Sequence, residues 1–333
     1  MTLRLLEVYH SYDKEKDIKK LLKDIDIIDL KQEKKSQIEV LSRIVISADK
    51  TDAVLEILEK KFSKSENFRV IILSVEALLP RPEIEKGDQG EKKEQNKKER
   101  ISIEEIYNDI CGDVSSFSKL HFVMIILAGI VASIGILYNN VAVVIGSMVI
   151  APLLHPSMAL SLGITLADSK LIKNASLVSS LGFFIAFIVG LLFGLFFEVD
   201  PSNPEILSRI ELNLMFVLLA FSSGIAGSLS VTRGVSEALV GVMTAVALLP
   251  PIVTSGLLFG SEYLNESFGA FLLFMVNLVC INLAAILTFV VQGVNPKNWW
   301  EKKKAKKIVW KAVVMWILLL MLLILMILFY QYF

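Results

Sequence analysis

The sequence predicts an α-helical multi-span membrane domain behind a small α+β domain of ferredoxin-like form. Three observations predict it. The 333 residues are 54% hydrophobic, yet the charges are segregated. Of 34 basic and 34 acidic residues, only twelve and nine lie beyond Ser118, so 47 of the 68 fall in the first 118 positions. Beyond that point seven segments are long and apolar enough to cross about 30 Å of hydrocarbon at 1.5 Å per residue. Two of the seven carry prolines near their middle, Pro152 and Pro156 in one and Pro250 and Pro251 in the other.

Residues 1–80 form the small domain. "LRLLEVYHS" reads as a strand and "KDIKKLLKDI" as a short helix. "DIIDLKQ" and the β-branched "SQIEVLSRIVISA" are two further strands. "DKTDAVLEILEKKF" sets Val54, Leu55, Leu58 and Phe62 at helical spacing, with Asp52 or Thr51 as cap. "NFRVIILSVEALL" is the last strand, which completes a βαββαβ order. Such a domain serves either ligand-dependent regulation or assembly.

Residues 81–101 are a charged linker with no apolar period. Residues 102–118 follow as an amphipathic elbow helix. Ser102 and Glu105 form a capping-box pattern, and Ile103, Ile106, Tyr107 and Ile110 share one face. That face suits either the membrane interface or the small domain.

The seven apolar segments lie near 119–138, 140–167, 171–197, 212–232, 235–260, 267–292 and 308–330. A shift of 95 residues without a gap places Gly129, Ile130 and Ser133 on Gly224, Ile225 and Ser228. It places Gly146 and Met148 on Gly241 and Met243, and Leu153, Leu154 and Pro156 on Leu248, Leu249 and Pro251. The expected architecture is therefore a three-helix unit over 119–197, a second copy over 212–292, and a basic loop with a final helix over 293–333. Three spans per copy invert the second copy relative to the first. Each middle helix is expected to break at its prolines.

Loop charges set the orientation. "NPKNWWEKKKAKKIVWK" is basic and is placed in the cytoplasm, with Lys170, Lys173 and Arg233 on the same side. "EVDPSNPEILSRIE" and "SEYLNES" are acidic and fall outside. The expected protein is a multi-pass protein of the cell membrane, with a cytoplasmic N-terminus and an extracytoplasmic C-terminus. "MTLRLLEVYHSYDKEKD" has no long apolar stretch, so insertion is expected from internal segments.

"NNVAVVIGSMVIAPLLHP" resembles the signature of an uncharacterised hydrophobic membrane protein family, domain of unknown function 389. The resemblance covers roughly residues 115–295. It implies a multi-span prokaryotic membrane protein, in some members with a soluble N-terminal domain. It implies no chemistry. It gives His155 no role, since relatives are expected to carry a small residue there.

A proline removes a backbone donor and displaces the carbonyl one turn earlier. In hydrocarbon those groups need partners, and exposed half-helix ends can hold an ion or polar solute at the midplane. A packing kink is the alternative. The polar candidates for a path are Asn140, Ser147, His155, Ser157, Thr244, Thr254 and Asn277, beside Pro152, Pro156, Pro250 and Pro251. Ser161, Ser255 and Asn282 are weaker candidates. Arg233 and Glu237 stand four apart as an interfacial ion pair or a gate. "GLLFG", at Gly190–Gly194 and again at Gly256–Gly260, reads as close helix packing.

There is no Walker lysine, GxGxxG, HExxH or GxSxG motif, and acids are nearly absent from the spans, so an enzyme is not expected. Two cysteines without a CxxC or Cys/His cluster point to neither a disulfide framework nor a metal site. A formal net charge of zero names no nucleic-acid partner, and no cofactor is expected. The expected partners are the lipid bilayer, a small solute or ion, and further copies of the chain. Transport or channel activity leads. A non-transporting sensor or scaffold with a cytoplasmic regulatory domain is the alternative.

Overall fold

The computed structural model describes residues 3–11, 18, 21–23, 25, 27–34, 39–62, 68–75, 102–115, 119–210, 214–233, 237–296 and 299–332. The linker expected over 81–101 and most of the first helix of the small domain lie outside these residues. The chain divides into two compact units, Met1–Ile106 and Tyr107–Phe333.

In the first unit, β1 (Leu3–Ser11), β2 (Asp29–Lys34), β3 (Glu39–Ser47) and β4 (Arg69–Val75) form one antiparallel sheet in the order β2-β3-β1-β4. Helix α1 (Thr51–Phe62) connects β3 to β4. Period-two alternation turns Leu6, Val8, Ile44 and Ile46 to one face, where Val54, Leu58 and Phe62 of α1 cover them. Each such side chain, once buried, contributes about 1.5–3 kcal/mol. His10 is buried within this layer, 2.9 Å from the Ser42 hydroxyl.

Helix α2 (Ile103–Ser115) begins where the capping box was expected. The Glu105 amide donates to Ser102 Oγ at 3.2 Å. The Glu105 carboxylate is engaged by Arg4 at 2.8 Å, and the Ile103 amide donates to Asp52 at 3.1 Å. Asp52, expected as a cap for its own helix, thus serves the start of α2.

The second unit is helical. It contains α3 (Lys119–Leu137), α4 (Val141–Ile150), α5 (Leu154–Leu166), α6 (Ser169–Phe196), the short α7 (Pro204–Ile210), α8 (Leu214–Arg233), α9 (Glu237–Gly260), α10 (Leu264–Val291) and α11 (Trp299–Tyr332). Among the described residues, five helices are long and apolar enough to cross a membrane, namely α3, α6, α8, α10 and α11. Helices α4 and α5 together reach that length but bend by 52° at the break between them. Helix α10 is the most enclosed, while α11 leaves most of its apolar surface exposed.

Helix limits recur at the 95-residue offset. Helix α6 runs Ser169–Phe196 and α10 runs Leu264–Val291. Contacts recur with them. Ser133 Oγ donates to the Gly129 carbonyl at 2.8 Å, and Ser228 Oγ to the Gly224 carbonyl at 2.9 Å. Gly129 lies against Val189, and Gly224 against Ala284.

The two "GLLFG" stretches pack on each other. A Cβ added at Gly190 would lie 2.3 Å from the Val253 carbonyl oxygen, and one at Gly194 would lie 2.0 Å from that of Leu257. A Cβ at Gly256 would lie 2.2 Å from the Phe187 oxygen, and one at Gly260 2.3 Å from that of Leu191. Only a hydrogen fits at these positions, which lets α6 and α9 approach backbone to backbone.

Candidate functional site

The break between α4 and α5 follows from its sequence. Asn140 caps α4 from an exposed position, accepting from the Val143 amide at 3.2 Å. The helix runs to Ile150, and the Ala151 amide still donates to Ser147. Pro152 has no amide to give to the Met148 carbonyl, and the Leu153 amide turns to Ala151 at 2.9 Å. Helix α5 then starts with no side-chain cap. Pro156, in its first turn, leaves the Pro152 carbonyl without a helical donor. Pro152 and His155 are half-buried and Pro156 is buried.

The hydroxyls around the break serve the backbone. Ser147 Oγ donates to the Val144 carbonyl at 2.6 Å and Ser157 Oγ to that of Leu153 at 3.2 Å. They hold the ends of the break in place. Lower down, Ser161 Oγ donates to Asn282 Oδ1 at 3.1 Å, joining α5 to α10.

The second proline pair corrects the expectation of two broken helices. Helix α9 is continuous from Glu237 to Gly260, with Pro250 and Pro251 inside it. The reason lies in α10. Pro251 deprives the Ala247 carbonyl of its donor, and Asn277 Nδ2 replaces that donor at 2.7 Å. At the 95-residue offset Gly182, which has no side chain to donate, stands in place of Asn277.

Thr254 is fully buried two turns beyond Ala247, and its hydroxyl has no hydrogen-bond partner among the described residues. Asn277 Oδ1 also lacks a partner among them, in a residue 5% exposed. Ser255 and Ser267 satisfy each other across α9 and α10, each hydroxyl donating to the other's carbonyl at 3.0 and 2.8 Å. The side chains of Thr244 and Glu237 lie outside the described residues; Arg233 is exposed at the end of α8.

Helix α9 packs against α4, α6, α8 and α10. Sequence reasoning missed Ser223 of α8, a buried hydroxyl without a partner among the described residues. A lone serine in an apolar helix gives no signal of its own. It also missed Asn203, whose amide donates to the Ile136 and Leu137 carbonyls at 2.9 and 3.3 Å and closes the end of α3. In α7, outside the long apolar helices, Glu205 and Arg209 form a largely buried ion pair at 2.7 Å. Burial lowers the Arg209 pKa, against the favourable charge of Glu205. Among the described residues no group of three or more His, Cys, Asp or Glu is placed to hold a metal.

Long apolar helices with a polar break among them define an integral membrane protein. The family model described as "Domain of unknown function (DUF389)" matches residues 148–283, from one turn before the break to just past Asn282. An uncharacterised protein of Methanocaldococcus jannaschii is 40% identical over 267 residues, covering 80% of this chain and 80% of that one. The chain belongs to this family. No solved structure matches it.

Proposed function

We propose that the protein is a transporter or channel for a small solute or ion, with its site at the membrane midplane between the α4–α5 break and the prolines of α9. One observation carries the reading: a helix interrupted by prolines, each of which removes a backbone donor, lies in the same bundle as a second proline pair and buried side-chain oxygens without partners among the described residues. Groups left in that state cost several kcal/mol each unless a cavity, water or substrate meets them.

Crossings of the membrane by α4–α5 and by α9, and hence seven spans, are part of the proposal. Asn140 is bonded to the end of α3, beside Asn203. Ile210, at the end of α7, touches Gly269 near the start of α10. Ser161 meets Asn282, 18 residues into α10, about 27 Å further down. A hairpin returning to its own side would not reach that depth.

The inverted repeat has its own support. The glycine contacts pair Gly190 with Val253 and Gly194 with Leu257, so α6 and α9 run parallel. Ala247 meets Asn277 and Ser255 meets Ser267, so α9 and α10 run antiparallel. The equivalent helices α6 and α10 therefore point in opposite directions. The halves also exchange contacts: Ser161 touches Asn282, and at the 95-residue offset Gly256 touches Phe187. A two-fold axis requires that reciprocity. Such halves can rock about a central site to give alternating access.

The sheet order β2-β3-β1-β4 supports a ferredoxin-like domain, which we place in the cytoplasm as a regulatory module. Homo-oligomerisation in the bilayer completes the proposal. The test is flux in proteoliposomes across a panel of ions and small metabolites, with Pro156→Ala and Pro251→Ala beside the parent chain. Flux that falls in both variants per folded molecule supports the site. Folded protein with no flux beyond empty vesicles overturns transport and favours the sensor. A loss of stability with specific flux unchanged makes the prolines structural.

A further inference from the structure

We infer that the midplane site takes a small monovalent cation, stripped of water and held by uncharged oxygens, with Asn277 Oδ1 as the central ligand. This rests on the proposed midplane site and names the class of ion that the site accepts.

Helices α8, α9 and α10 pack on one another, and each brings a buried side-chain oxygen with no hydrogen-bond partner among the described residues: Ser223, Thr254 and Asn277. Asn277 is residue 14 of the 28 in α10, hence at its centre. Its amide can face only one way. The Ala247 carbonyl accepts and does not donate, so the nitrogen must face it and Oδ1 must point elsewhere. Oδ1 is an acceptor only. The neighbouring Val246 carbonyl has lost its helical donor to Pro250. Gly224 abuts Ile281, which puts Ser223 within about one turn of Asn277 along the axis. Thr254 lies about 10 Å along α9 from Ala247, outside the reach of an ion held by Asn277.

Asn277 Oδ1 and the Val246 carbonyl are acceptors only, whereas the Ser223 hydroxyl can accept or donate. An anion would meet lone pairs, and the only Lys or Arg of α8, α9 and α10 is Arg233, exposed at a helix end. Divalent ions select several carboxylates, and the acids of these helices, Glu237 and Glu266, stand in first turns, far from Asn277. A monovalent cation asks only for a few oriented oxygen dipoles. It would relieve acceptors that otherwise stay unpaired in a buried site.

The test uses the purified full chain. Thermal unfolding in detergent is followed with increasing NaCl or KCl, balanced by choline chloride at constant ionic strength, for the parent chain, Asn277→Ala, Thr254→Val and Ser223→Ala. Uptake of sodium, rubidium and chloride tracers is measured in parallel in liposomes. The expected result is saturable stabilisation by sodium or potassium over choline, with the half-saturating concentration raised at least tenfold in Asn277→Ala. If that variant does not fold, Ser223→Ala carries the same expectation, with Thr254→Val as the control that leaves the half-saturating concentration unchanged. Identical melting in all three salts overturns the cation site. Flux of chloride or a neutral solute without cation binding overturns it too, while leaving transport standing. Cation binding lost in the variants, with no flux in any vesicle, upholds the site and overturns transport.

Discussion

Asn277 donates its side-chain amide to the Ala247 carbonyl across 2.7 Å, to the acceptor that Pro251 leaves without a helical donor. A residue thirty positions away in sequence thus repairs the ladder of α9. The repair explains why one proline pair lies inside a continuous helix and the other in a break.

The repair makes a double-mutant cycle informative. Asn277→Ala should cost about 1–3 kcal/mol, because it leaves a buried carbonyl unpaired. In a Pro251→Ala background the restored amide takes that carbonyl, and the same change should cost under about 1 kcal/mol. Thermal unfolding of the four proteins in one detergent reads the coupling. Equal penalties in both backgrounds would show that the bond does not compensate the proline.

The glycine contacts predict a contrast within one unit. Gly194→Ala and Gly256→Ala put a methyl carbon at 2.0 and 2.2 Å from backbone oxygens of the facing helix. Each should destabilise by at least about 1–3 kcal/mol as α6 and α9 separate. Gly146→Ala meets nothing within 4 Å and should be neutral, or stabilising by up to about 1 kcal/mol. Melting temperatures of the three variants decide it.

The proposed orientation is open to labelling. Ser202 and Ser169 are both exposed, at the far ends of α6. With the native cysteines replaced, Ser202→Cys should react with an impermeant maleimide on intact cells. Ser169→Cys should react only after permeabilisation. The opposite pattern would reverse the orientation, and labelling of both from outside would remove the crossing by α6.

The cap of α2 has a measurable weight. Ser102 is 1% exposed and holds the Glu105 amide. Ser102→Ala should cost about 1 kcal/mol, and Ser102→Gly only a few tenths. Hydrogen exchange of the amides in the first turn of α2 should quicken about fivefold in the alanine variant, since 1.4 kcal/mol is a factor of ten. No change in exchange would mean that Asp52 and Arg4 hold this turn without the cap.

Much of the fold was legible because its signals are local. Period two in "LRLLEVYHS" and "SRIVIS" marks strands, and helical spacing in "AVLEILEKKF" marks α1. The 95-residue offset placed the membrane helices because equivalent helices share their limits. The candidate site was legible only in part. Pro152 and Pro156 announced the first break, since each removes a donor wherever it stands. Pro250 and Pro251 gave the same signal, but the outcome depended on Asn277. Ser223 gave none, because an isolated hydroxyl in a helix normally bonds the preceding turn.

By itself, then, the sequence determined the segregation of charge into a first unit, the apolar helices of the second, the cap at Ser102, and the first proline break. Those features depend on side chains a few residues apart and on the burial of apolar surface, which a linear pattern records. The tertiary structure decided which proline site opens, which glycines meet, and which buried oxygens stay without partners. A carbonyl stripped by proline has no preference of its own between a break and a repair. The choice falls to whatever side chain packing brings within about 3 Å, which for the Ala247 carbonyl is Asn277.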